Sequence, residues 1–129
     1  MNIYNKSNTQ KTAEGVGLES FLLIGRCNVK NTSISVQISK ISVGFHQPVH
    51  YHQPEQCYYI IGGKGLITIA DEQQEVNEGD TIYIPSNEIH GIKNIGDSYL
   101  EYLTANAPAF NMEYENSLWP VVDGSNFIL

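Results

Sequence analysis

At 129 residues and 14.4 kDa, the chain is long enough for one buried core and too short for two. With 41% hydrophobic and 16% charged residues and no biased run, its composition is that of a globular domain. A formal net charge of -7 and a pI near 4.9 leave no basic surface for nucleic acid or an anionic membrane, so neither is expected as a partner.

Residues 1–17 read as a polar N-terminal arm, and Met1 to Glu14 lacks the apolar stretch of a secretory signal. No apolar run approaches the roughly 18 residues of a membrane span. Cys27 and Cys57 have neither metal-finger nor redox-motif spacing. Two buried thiols in a reducing compartment are expected, with a disulfide as the open alternative, and the chain is read as cytoplasmic.

Leu18 to Ile24 is an apolar run compatible with a first strand. Thr32 to Val43 alternates, with Ile34, Val36 and Ile38 followed by Ile41 and Val43. The phase change near Ser39 and Lys40 suggests a bulge or twist. Tyr58 to Ile61 is a doubly covered strand, and Gly62-Gly63-Lys64 joins it to a strand at Gly65–Ala70. Asp71–Gln74 reads as a turn, Glu75–Val76 as a short strand and Glu78-Gly79-Asp80 as another turn. Strands at Thr81–Ile84, His90–Lys93 and Ser98–Thr104 complete the pattern. Many short, closely spaced strands with no amphipathic helix before residue 105 predict an antiparallel all-β sandwich or barrel. The tail, with Trp119 and an apolar end at Phe127-Ile128-Leu129, is expected to pack on the barrel or on a second subunit.

The chemistry concentrates in His50-Tyr51-His52-Gln53-Pro54-Glu55-Gln56 and in His90. Imidazoles two residues apart on an extended strand project from the same face, so His50 and His52 can share a metal. Gln56, Tyr58 and Ile60 share one face of the next strand, and His90 and Ile92 share one on a third.

The pattern extends further. Gly44, five residues, His50-Tyr51-His52, three residues, Gln56, six residues and Gly63 resembles the first cupin motif. Gly79, five residues, Pro85, one residue, Asn87, two residues, His90, three residues and Asn94 resembles the second. The family's usual glutamate is Gln56 here, and a usual glycine is Asn87. Both motifs in order, 15 residues apart, are highly specific, and the strand pattern extends the likeness to about residues 18–110.

The resemblance implies a jelly-roll β-barrel over residues 18–110, with 111–129 as a C-terminal extension. It implies one divalent transition metal ion per chain (Zn, Mn, Fe or Ni) held by His50, His52, Gln56 and His90. Glu55 is the competing ligand, but using it would turn the opposite face inward unless a bulge intervened, and the spacing to Gly63 favours Gln56. Similarity to compact cupins also implies a homodimer.

Three side chains are candidates for proton transfer: His46 at the mouth, Tyr58 two residues after Gln56, and Glu101 if it, rather than Tyr102, faces inward. Each has a plain alternative: an exposed loop histidine, a core tyrosine, and a solvated outer-face glutamate. Tyr83 and Tyr102 read as core or interface aromatics.

Three imidazoles and an amide leave the metal's +2 charge uncompensated, which disfavours a more oxidised metal and favours Lewis acidity. The expectation is a metal-dependent isomerase, lyase or ring-opening enzyme acting on a small oxygen-rich metabolite such as a sugar acid. The alternatives are a cupin dioxygenase and a non-catalytic cupin that binds a small ligand or a metal.

Overall fold

The computed structural model describes residues 1–15 and 17–110, so the predicted extension at 111–129 lies outside the described residues. Among the described residues, a short 3-10 turn at Lys6–Asn8 is followed by ten strands. These are β1 (Gln10–Gly15), β2 (Leu18–Ile24), β3 (Ser35–Ile41), β4 (His46–His50) and β5 (Glu55–Gly62), then β6 (Lys64–Ile69), β7 (Glu72–Asn77), β8 (Thr81–Ile84), β9 (His90–Asn94) and β10 (Leu100–Ala107). They form a six-stranded sheet in the order β1-β2-β3-β10-β5-β8 and a four-stranded sheet in the order β4-β9-β6-β7, with every pairing antiparallel. Two antiparallel sheets joined by long-range crossovers make the expected jelly-roll barrel.

The core lies between the sheets and consists of Ile41, Tyr58, Ile60, Ile67, Val76, Ile84, Ile92, Leu100 and Tyr102. Burying each of these aliphatic side chains is worth about 1.5–3 kcal/mol relative to exposure. The β5–β6 turn depends on Gly63. Its φ is +91°, and a Cβ there would lie 2.9 Å from Leu100 Cα.

The structure differs from the sequence reading in several places. Part of the polar arm is strand: β1 pairs with β2, and Lys11 reaches Glu19 at 3.3 Å. Glu72 to Gln74, read as a turn, belongs to β7, and the reversal is at Ala70, with φ +54°. This edge strand exposes Glu72 through Glu75, which hides its apolar signal. β3 shows no register shift against β10, and it buries Ser35, Gln37, Ser39 and Ile41 while Val36 and Ile38 take the outer face. The alternation was therefore real, but the polar residues of β3 are the inward ones. The expected burial of both cysteines also fails. Cys27 is exposed after β2, and Cys57 is half-buried on the outer face of β5. No helix among the described residues is long and apolar enough to cross a membrane.

Candidate metal centre

Strands β4 and β9 face each other with His50 directly opposite His90. The register slips between Gln47 and His50, which leaves one extra residue on β4 opposite Gly91. Pro48 cannot donate to a ladder, and a bulge is where a strand tolerates it. Gly91 accommodates the bulge, because a Cβ there would lie 3.1 Å from the Gln47 carbonyl oxygen and from Val49. The slip inverts the facing on one side of it, so Gln47 and His50 both reach the interior. His52 was expected to continue the same strand but lies beyond its end, in the β4–β5 connection. That connection is held to the β8–β9 loop by the Asn87 N–H, which donates to the His52 carbonyl at 2.8 Å. Asn87 has φ +63°, a conformation that glycine and asparagine both tolerate, which explains its place in a usual glycine position.

The three imidazoles converge, and their ligand nitrogens lie within 4.8 Å of one another. Each ring is held from behind by a peptide carbonyl. His50 Nδ1 donates to Pro48 O at 2.7 Å, His52 Nδ1 to Pro54 O at 2.9 Å and His90 Nδ1 to Glu88 O at 2.8 Å. A carbonyl oxygen only accepts, so Nδ1 carries the proton and every Nε2 presents a lone pair. Burial holds the rings neutral. It lowers the His50 pKa to about 4 and also lowers those of His52 and His90, the last with help from neighbouring His50.

Two observations test whether these residues fit a cation. His90 Nε2 is buried with no hydrogen-bond partner among the described residues. Gln56 Oε1 faces His52 Nε2 at 3.2 Å, where two acceptors meet without a proton between them. A divalent ion among these lone pairs would relieve both, so the donor set fits a metal.

Gln56 is buried at the centre, whereas Glu55 is exposed at the rim and accepts a 2.8 Å hydrogen bond from Tyr83, itself exposed. Glu101 alternates with buried Leu100 and Tyr102, which puts it on the outer face of β10, away from the histidines. The general-base role considered for it is therefore set aside, because the strand parity that buries Tyr102 turns Glu101 outward. His46 lies on the face of β4 opposite Gln47, and its pKa is lowered by partial burial and by nearby Lys93. Tyr58 is buried and stacks on Tyr102 with centroids 4.9 Å apart. Burial pushes its hydroxyl well above the usual range.

Gln47 went unrecognised in the sequence. Its Oε1 accepts from Tyr58 at 3.4 Å and Tyr102 at 2.8 Å, and its Nε2 donates to His50 Nε2 at 3.3 Å. It positions a ring and anchors two phenols. Plain alternation would have turned it away from His50, and only adjacent Pro48 hinted at the bulge.

A sequence model of the cupin domain family matches residues 37–106, which include every histidine of this centre. The chain is a cupin. Among its relatives, an uncharacterised protein of Methanocaldococcus jannaschii is 39% identical over 85 residues, covering 65% of this cupin and 68% of that protein. An oxalate-binding protein of Thermotoga maritima is 32% identical over 65 residues, covering 50% of this chain and 54% of its own length. Bacillus subtilis oxalate decarboxylase, a structure described for its Mn(II) centres, superposes with a TM-score of 0.74 at 22% identity, covering 88% of this cupin and 32% of that chain. The last likeness is one of fold.

Proposed function

We propose that this cupin holds one divalent transition metal on His50, His52 and His90 with Gln56, and uses it to bind a small oxygen-rich acid. The observation that carries this reading is the set of inward lone pairs, with an unpartnered His90 Nε2 and a Gln56 carbonyl oxygen turned towards His52. The donors are all neutral, so a bound divalent ion would keep its full charge and supply Lewis acidity towards carboxylate and hydroxyl oxygens. Around it, the three peptide carbonyls fix the rings, and the Phe110 and His52 rings meet edge to face, with centroids 5.0 Å apart. The similarity to an oxalate-binding protein supports an oxyacid ligand.

The reaction class proposed is isomerisation, elimination or ring opening. A second reading, binding without turnover, is favoured by the placement of the proton-transfer candidates. Glu101 and His46 face away, and the Tyr58 hydroxyl donates its hydrogen bond to Gln47.

Elemental analysis of protein purified without added metal tests the centre. Near-stoichiometric metal is expected in the parent and in Glu55→Ala, with severe loss in His52→Ala, His90→Ala and Gln56→Ala. Loss from Glu55→Ala with retention in Gln56→Ala would overturn the ligand set. A subsequent screen with hydroxy and sugar acids, scored for product and for binding, separates the two readings.

A further inference from the structure

The metal centre accounts for only part of the polar interior. On the inner face of the six-stranded sheet, Gln37 of β3 lies directly opposite Thr104 of β10, and Asn106 is two residues along on the same face. All three are at most 3% exposed, yet Gln37 Nε2, Thr104 Oγ1 and Asn106 Oδ1 have no hydrogen-bond partner among the described residues. Buried polar atoms left without a partner are destabilising, so a wall carrying three of them points to a ligand that would satisfy them. The wall adjoins the centre, since Asn106 pairs with Gln56 and Thr104 pairs with Tyr58 across β5. Like His90 Nε2, these atoms are shielded from solvent.

We propose that Gln37, Thr104 and Asn106 form a hydroxyl-recognition wall, and that the ligand is an oxyacid with hydroxyl groups beyond its metal-chelating end. This rests on the metal-centred reading above and narrows its substrate class. Gln37 Nε2 can only donate, Asn106 Oδ1 can only accept, and Thr104 Oγ1 does either. A ligand hydroxyl both gives and takes, so a polyhydroxy chain satisfies all three. A dicarboxylate such as oxalate offers acceptors alone and would meet the Asn106 oxygen with like polarity. The buried polar side chains among the described residues include no lysine or arginine to neutralise a second carboxylate. The wall therefore selects hydroxyls over additional charge.

The test uses lactate, glycerate and gluconate, which share a carboxylate and an α-hydroxyl but differ in the hydroxyls beyond. They are titrated calorimetrically into metal-loaded protein, with oxalate alongside. Affinity is expected to rise at least tenfold from lactate to gluconate. Thr104→Val, Gln37→Met and Asn106→Leu should each remove most of that rise while metal content stays at the parent level. In the ligand-free state, Thr104→Val should raise the melting temperature, since a methyl replaces a hydroxyl that has no partner. Equal affinity for lactate and gluconate, parent-like gluconate binding by all three variants, or a lower melting temperature for Thr104→Val would each overturn the proposal. A parent protein without metal on elemental analysis would instead overturn the metal-centred reading, so the two failures are told apart.

Discussion

Neutral imidazoles are both the means of binding metal and a source of acid sensitivity. His50 has a pKa of about 4 in the fold against about 6.5 for an unfolded histidine, and that of His90 is also lowered. The unfolded chain therefore takes up protons that the fold refuses. The stability these rings lend is complete above about pH 6.5 and is lost as pH falls towards 4, on the order of 3 kcal/mol from His50 alone. Thermal melts of chelator-treated protein should show this decline between pH 7 and 4.5, with a shallower slope in His50→Gln. A melting temperature that stays level across that range would contradict it. Metal retention by the folded protein should persist until pH nears 4, because protons compete for Nε2 only as pH approaches the lowered pKa of His50.

At the scale of elements, the β4 bulge and Gly91 act as a unit. Gly91→Ala would push a methyl to 3.1 Å from the Gln47 carbonyl oxygen and the Val49 backbone. The expected outcome is a loss of about 1–3 kcal/mol in denaturant unfolding together with weaker metal retention, since His50 and Gln47 both shift. Unchanged metal content and stability would show that the strand absorbs the methyl without moving them. The same element marks how far the sequence was legible. The spacing of His50, His52, Gln56 and His90 was plain because each motif is a local string. Gln47 was hidden because a bulge inverts parity, and no rule of period two announces where one occurs. The polar wall was hidden for a related reason. Alternation along β3 shows that two faces differ, but which one turns inward depends on the partner sheet.

For the whole molecule, the outer face of the six-stranded sheet bears Val36 and Ile38 from β3, Leu103 and Ala105 from β10, and half-exposed Tyr59 from β5. We propose that two copies of the chain pair through this apolar face. Light scattering coupled to size exclusion should give twice the 14.4 kDa chain mass, and Ile38→Lys should shift it to the monomer. A parent that elutes as a monomer at micromolar concentration would end this proposal. The peptide carbonyls of Pro48, Pro54 and Glu88 carry a consequence of another kind. The orientation of the rings is written in main-chain atoms, which no single side-chain replacement deletes. A lineage descended from this chain could therefore trade wall residues freely, acquiring new ligands by drift, while the metal-holding geometry passes unchanged from one descendant to the next.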